Sequence, residues 1–403
     1  MWERTMKTLL ISSDNPNLTN IGGKHVHLNL LDRGLTAENC EHTCIYPADV
    51  TKIVQSRKSL LINGIIKGEI LQIISPEMRH FSAVIKSLKE NLSEITINDY
   101  SIAHFHDVGA LEAFNSVMKN VNIPKILTLH GYFAREFIDY ARIYSKVEKL
   151  IFFDYCFKIE KKNTISANYI IAVDNRIKSY IIDKFNYNPN YISVIPNATD
   201  TDKFHPVSYL EKNRLRSLLG YNNNDLIVIV PRRLVPKNGV EYAIGAIKKI
   251  DNPSIKLIII GDGILKDSLV KLSADDPRIF FTGPINHSEI VQFFQMSDVV
   301  LIPSITSNDI QEATSLSMLE GMSTGKVVIC SNIGGMKEVI INNINGFLVK
   351  ERSPDDIVLL FQKLIEEPEK REKIGINARK FIEENHSYLT HTRKICEIYS
   401  KFI

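Results

Sequence analysis

The sequence predicts an α/β protein of two lobes, each a parallel sheet with helices packed on it. Length is the first reason: 403 residues are too many for one core at about 150 residues per domain. Pattern is the second, since short β-branched runs alternate with longer amphipathic stretches along the whole chain. A third is that the polar, Pro-bounded segment from Pro196 to Pro206 interrupts both periods halfway along.

In the first half, strands are expected at Lys7–Ser12, His42–Tyr46, Ile102–His106, Lys125–His130, Tyr169–Val173 and Ile192–Ile195. Helical periodicity runs between them over His25–Leu31, Leu111–Val121, Glu136–Phe157 and Arg176–Phe185. The second half repeats the scheme, with strands at Leu226–Val230, Lys256–Ile260, Ile279–Phe281, Val299–Ile302 and Val327–Cys330. Its helices are expected at Val240–Ile250, Leu265–Leu272, Ser288–Met296 and Ser315–Ser323. From Pro354 to Phe402 the pattern stays helical, broken near Pro368 and at Asn385-His386. The expected division is a first lobe over 1–200, a second over 201–386, and a closing helical segment, 387–403, that returns to the first lobe.

Composition excludes several classes of function. Hydrophobic residues at 44% and charged ones at 24% are ordinary for a globular chain and rule out disorder, collagen and coiled coil. Lys+Arg 49 against Asp+Glu 46 leaves +3 with no basic run, so nucleic acid is not an expected partner. Stretches such as Leu226–Val230 fall far short of the roughly 20 apolar residues that span a bilayer. Leu9-Leu10-Ile11 is too short for a secretory signal core, so the chain is expected in the cytoplasm, with peripheral contact at an anionic membrane face permitted by the lysines of the first lobe. Cys40, Cys44, Cys156, Cys330 and Cys396 show no C-x-x-C spacing and read as reduced, mostly buried thiols.

Four motifs offer chemistry. Gly22-Gly23 lies between the first strand and the first helix, where backbone amides and the helix N-terminus suit a phosphate, although a tight turn also needs glycine. Pro231-Arg232-Arg233-Leu234-Val235-Pro236-Lys237-Asn238-Gly239 puts basic residues at the carboxyl end of a parallel strand, where such sheets bind ligands. Gly261-Asp262-Gly263 lacks the third glycine of a dinucleotide fingerprint, which argues against a nicotinamide enzyme and for a strand-end turn. Glu312 precedes a helix start capped by Thr314 or Ser315, and Glu320 lies two turns inside it. Eight residues at 1.5 Å each set those carboxylates on the order of 12 Å apart, with the helix N-terminus at Leu316 between them. A nucleotide sugar fits such a pattern, having hydroxyls at both ends and a diphosphate in the middle.

Gly22-Gly23, Arg233-Leu234-Val235-Pro236, Gly261-Asp262-Gly263, Glu312 with Glu320, Gly334-Gly335-Met336-Lys337-Glu338, Asn345-Gly346-Phe347-Leu348-Val349 and Pro196-Asn197-Ala198-Thr199-Asp200 together resemble the retaining GT-B glycosyltransferases of family 4. The resemblance implies two Rossmann-like domains facing a central cleft, the second holding a nucleotide-sugar donor and the first a glycan, lipid-linked or small-molecule acceptor. It implies that Glu312 binds donor-sugar hydroxyls and Glu320 the ribose. Arg233 would neutralise the diphosphate, Gly22 and Gly23 would reach it when the cleft closes, and His130 would stand near the transferred sugar. UDP-glucose, UDP-N-acetylglucosamine and GDP-mannose all fit, UDP being preferred, with the base read near Gly283.

One departure is plain: the family writes lysine where this chain has Asn238, with Lys237 one residue earlier. Either Lys237 reaches the phosphates from an altered loop, or Arg233 and backbone donors carry the charge with less help. The expected reaction is a metal-independent, retaining transfer with no cofactor, serving cell-surface polysaccharide or glycolipid synthesis. Its rival is a catalytically silent GT-B subunit that binds a glycan or a partner transferase. Asp200-Thr201-Asp202 mimics a metal-binding triplet but sits in the hinge. His104-Phe105-His106-Asp107 pairs two histidines that would need further ligands to hold a metal, and His106 is also a candidate for lining the acceptor side.

Overall fold

The structure is a computed structural model and describes residues 6–18, 23–50, 76–140, 146–274 and 276–402. Gly22 therefore lies outside the described residues. The contacts divide the chain into two units, one of 1–195 with 392–403 and one of 196–391.

The first unit carries strands β1 (Lys7–Ile11), β2 (Glu41–Ile45), β3 (Ile102–Phe105), β4 (Lys125–Leu129), β5 (Tyr169–Ala172) and β6 (Ile192–Val194). They form one parallel sheet in the order β2-β1-β3-β4-β5-β6. Its helices are α1 (Gly23–Ala37), α2 (Pro76–Ser93), α3 (Val108–Val117), α4 (Phe133–Tyr140), α5 (Lys146–Ser166) and α6 (Asn175–Phe185). The order changes direction between β1 and β3, and at the ends of those strands Ser12 and His106 begin the loops that build a site.

In the second unit, helix α7 (Tyr209–Leu218) leads into β7 (Leu226–Pro231), α8 (Val240–Lys248), β8 (Ile255–Ile260), α9 (Lys266–Ser273), β9 (Ile279–Gly283), α10 (Ile290–Met296) and β10 (Val299–Ile302). Then follow α11 (Leu316–Ser323), β11 (Val327–Ser331), α12 (Met336–Val339), β12 (Phe347–Val349), α13 (Pro354–Glu366) and α14 (Pro368–Asn385). The sheet order β12-β11-β10-β7-β8-β9 is that of a doubly wound fold, with its switch point between β7 and β10. All six residues of β7 are buried because helices cover both faces: Val228 and Val230 enter one core, Ile227 and Ile229 the other.

Three expectations are corrected. The stretch Glu136–Phe157 is two helices, α4 and α5, separated by residues outside the description. Phe347–Val349 is a sixth strand of the second sheet; three residues are too few to establish a period in sequence. Only Cys156 and Cys330 are buried, while Cys40, Cys44 and Cys396 are half-buried, with the Cys40 and Cys396 sulfurs 3.6 Å apart. Among the described residues no helix is long and apolar enough to cross a membrane.

The last helix, α15 (Tyr388–Tyr399), docks its final turns on the first unit. Ile395, Ile398 and Tyr399 join Leu10, Leu31, Ile102 and Ile126 in one core, each buried Ile contributing roughly 1.5–3 kcal/mol. Gly34 on α1 makes room: a Cβ there would meet the side chain of Thr392. Replacing Gly34 with Val should therefore lower the unfolding free energy by about 1–3 kcal/mol. Urea unfolding checks this, and an unchanged midpoint would show that α1 and α15 are not packed so closely.

Candidate functional site

The second unit's site grows from the ends of β7 and β10, at the switch point. Arg232 follows β7, and its guanidinium is nearly buried between three chain segments. One terminal nitrogen, Nη1, donates to Ser315 Oγ at 3.1 Å. The other, Nη2, donates to Asn238 Oδ1 at 2.6 Å and to Ser304 Oγ, just past β10, at 3.1 Å. The same Nη2 lies 3.0 Å from Glu312 Oε2, closing an ion pair. Arg232 thus ties the loop after β7, the loop after β10 and the approach to α11 into one piece.

Glu312 is itself set by backbone. Gly335 N–H donates to the Glu312 carbonyl at 3.0 Å, and Gly334 N–H to Gln311 Oε1 at 3.1 Å. Gly334 has φ +61°, and a Cβ there would strike the Glu312 carbonyl, so only glycine permits this approach. Burial works against the Glu312 charge, but Arg232 first and then Lys237 and Arg233 outweigh it, holding the carboxyl below its ordinary value of 4.5.

Helix α11 begins at Leu316 with Ser315 as its N-cap, yet the Ser315 side chain makes no capping bond and accepts from Arg232 instead. The first-turn amides of α11 therefore keep their capacity for an acceptor from outside the helix. Thr314 and Ser315 are both buried, and the Thr314 carbonyl accepts from Asn197 Nδ2 at 3.3 Å. Met318, Leu319 and Met322 anchor the helix in the core.

Glu320, on the same helix, has a different kind of partner. Its Oε1 lies 3.2 Å from Nε2 of His287, a residue in the loop after β9. Lys203 Nζ approaches Nδ1 of that ring at 2.6 Å and also donates to the His287 carbonyl at 2.7 Å.

The other expected residues fall as follows. Arg233 is exposed and Lys237 half-buried, and both act on Glu312 through charge. Asn238 is buried, accepting from Arg232 and donating from Nδ2 to the Arg233 carbonyl at 2.6 Å, so it braces the loop. Gly261 lies against the Arg232 carbonyl and donates to the carbonyl of Gly283, the last residue of β9. Asp200 accepts at Oδ1 from the Asp202 and Lys203 amides, the pattern of an Asx turn.

In the first unit, the loops after β1 and β3 meet at Asp107. Its Oδ2 accepts from Ser12 Oγ (3.1 Å) and Ser13 N (2.8 Å), and its Oδ1 caps α3 through Ala110 N at 2.8 Å. Lys24, next to Gly23 at the start of α1, pairs with Asp14 at 2.7 Å and Asp107 at 3.3 Å. Behind these lies a group of imidazoles. The His27 ring is 4.6 Å from that of His130 and 5.3 Å from that of His106.

Burial, helped by the Lys24 charge, brings His27 down to about 4 and His106 well below its ordinary value; in His106 the neighbouring imidazoles add to the effect. These two rings are neutral at physiological pH. His104 does not share a site with His106: it is turned into the core, its Nδ1 at 2.6 Å from Tyr399 Oη and its Nε2 at 2.7 Å from Thr128 Oγ1. What His106 gains instead is His27 and His130, whose nitrogens all lie within 4.8 Å of one another, a set able to hold a transition metal; Asp32, His42 and Cys44 form another.

Sequence reasoning missed Arg232 and His287. For Arg232 a signal existed, since adjacent residues leaving a strand point to opposite sides and only one of Arg232 and Arg233 could face the switch point. For His287 none did, because its role depends on two segments far away in the chain.

The depressed Glu312 pKa has a consequence for stability. Its contribution is fully present above 4.5, the unfolded value, and is lost as pH falls through the lower folded value. Glu312→Gln should remove that part of the acid destabilisation. Arg232→Met should cost about 3–5 kcal/mol at neutral pH by leaving a buried carboxylate uncompensated. Denaturant unfolding between neutral and acid pH measures both, and parallel pH profiles for Glu312→Gln and the parent would refute the pairing.

A family model described as Glycosyltransferase Family 4 matches residues 21–203, and one described as Glycosyl transferases group 1 matches residues 211–381. An uncharacterized glycosyltransferase of Methanocaldococcus jannaschii is 24% identical over 401 residues, covering 98% of this chain and 98% of its own. The UDP-Gal:alpha-D-GlcNAc-diphosphoundecaprenol alpha-1,3-galactosyltransferase of Escherichia coli is 32% identical over 198 residues, 47% of this chain and 49% of its own. Among solved structures, sucrose-phosphate synthase of Thermosynechococcus elongatus is similar in fold at a TM-score of 0.76, with 16% identity and 98% of each chain covered. Anabaena HepE in complex with UDP and glucose is similar at 0.69, with 19% identity, covering 98% of this chain and 100% of that one. With a family model on each half, a full-length relative, and two doubly wound α/β units of the GT-B kind, this chain belongs to the family 4 glycosyltransferases.

Proposed function

We propose that this glycosyltransferase moves a hexose or N-acetylhexosamine from a UDP-sugar to an acceptor hydroxyl with retention at the anomeric carbon, and that it needs no metal ion to do so. The observation that carries the reading is the setting of the α11 N-terminus. Amides without a side-chain cap stand beside the Arg232 guanidinium, with Glu312 before the helix and Glu320 within it. A diphosphate matches the amides and the cation, while hydroxyls on either side of it match the two carboxylates.

In this reading the bond from the anomeric carbon to the β-phosphate oxygen breaks as the acceptor oxygen bonds to the same face of that carbon. The acceptor's proton passes to the departing phosphate oxygen. Negative charge that develops on the diphosphate is met by Arg232, Arg233, Lys237 and the amides at Ser315 and Leu316, preorganised before the reaction begins. Glu312 orients the sugar, Glu320 the ribose, and Gly261 and Gly283 shape the loops nearest the base.

The first unit takes the acceptor, with His106 lining its side; Gly22 and Gly23 serve the diphosphate, and His130 the transferred sugar. Supporting a role for His106 is that both of its ring nitrogens are buried without a hydrogen-bond partner among the described residues. UDP is favoured because HepE was solved with it and because the E. coli relative is named for UDP-Gal. The diphosphoundecaprenol in that relative's name favours a lipid-linked acceptor, met on the cytoplasmic face of a membrane.

UDP-sugars should raise the melting temperature more than GDP-mannose does, because a ligand that binds only the folded state stabilises it. Donor-dependent release of UDP should fall on the order of 100- to 1,000-fold in Glu312→Gln and in Arg233→Ala. Donor binding without any release would favour a silent binding subunit, and full turnover in both variants would remove these residues from the reaction.

A further inference from the structure

Glu312, half-buried before the helix, and Glu320, buried within it, are compensated in different ways. Glu312 touches a guanidinium directly. Glu320 touches only an imidazole, and the cation stands one step further back. Donor and acceptor rules determine what that imidazole must be. A lysine ammonium has three N–H groups and no acceptor, so Nδ1 of His287, 2.6 Å from Lys203 Nζ, has to accept. The ring proton is then on Nε2, which faces Glu320 Oε1 at 3.2 Å and donates to it. Lys203 also donates to the His287 carbonyl, and the ring of Phe204 packs edge-on against the imidazole at 5.6 Å. Position, tilt and tautomer of His287 are all determined from the Pro196–Pro206 segment.

We propose that His287 is a positioning residue for nucleotide binding: held as its Nε2–H tautomer by Lys203, it orients Glu320 so that the carboxylate accepts the vicinal hydroxyls of a ribose. This deepens the reading of Glu320 as the ribose acceptor and rests on it. A neutral donor suits the task better than a cation would. It occupies one lone pair of Oε1 and leaves Oε2 and the remaining lone pair for a diol, without the tight ion pair that a ligand hydroxyl would have to displace. Lys203 places the balancing charge behind the ring, one step from a side chain that is only 5% exposed.

Calorimetric binding of UDP and 2′-deoxy-UDP to the full-length chain tests this, together with donor KM and kcat. Glu320→Gln reports on the underlying reading, and His287→Ala on the proposal. His287→Gln, which can still present an N–H toward Glu320, guards against a folding defect. His287→Ala should weaken UDP on the order of 10-fold. It should also narrow the preference for UDP over 2′-deoxy-UDP and raise donor KM with kcat nearly unchanged, whereas His287→Gln should retain most of the affinity.

Lys203→Met should reproduce part of the His287→Ala loss. If Glu320→Gln binds both nucleotides as the parent does, the ribose reading itself fails. If Glu320→Gln loses the preference but His287→Ala and Lys203→Met keep it, Glu320 needs no positioning from His287 and the proposal is overturned.

Discussion

The ion pair between Arg232 and Glu312 is the contact on which the second unit's site depends. A carboxylate held at the switch point of a doubly wound sheet, in front of a helix N-terminus, needs a cation at contact distance because water reaches it poorly. Arg232 meets that need and does more, since the same Nη2 also reaches Ser304 and Asn238 and Nη1 reaches Ser315. The loop after β7 and both ends of the connection from β10 to α11 are thereby drawn to one guanidinium, whose planar fork can serve several acceptors at once in a way that an ammonium cannot.

The same contact explains Asn238. A lysine at that position would bring a second cation against a buried guanidinium, whereas an amide can accept from Arg232 on one side and donate to the Arg233 carbonyl on the other. Read by alignment with the family motif, Asn238 is a lost charge. Within the fold it is the group that lets a neighbouring arginine fill the buried position, and the positive field at Glu312 is kept, with Lys237 and Arg233 adding to it from outside.

The first unit solves a similar problem with different residues. Asp107, just past the strand at its own switch point, is compensated by Lys24, and burial together with that lysine's charge keeps the histidines behind it neutral. Each unit thus places one ion pair where strand order changes direction. The first leaves uncharged imidazoles beside its pair, suited to proton-bearing or polar neutral ligands, and the second leaves basic groups and amides, suited to phosphate.

Much of this was legible in the sequence. Eleven of the strands could be located because a buried parallel strand is a short β-branched run that needs no knowledge of its neighbours. Glu312, Glu320 and the helix start between them were legible for the same reason, being defined by spacing along one segment. What only the tertiary structure decided is which groups meet. Arg232 rather than its neighbour enters the core because of how the chain leaves β7, His104 is spent on Tyr399 from the far end of the chain, and His287 acquires its role from Lys203 and Glu320, 84 and 33 residues away. Local patterns follow from the geometry of one strand or helix; the ionisation and tautomer of a buried group follow from whatever the fold brings to within hydrogen-bonding distance of it.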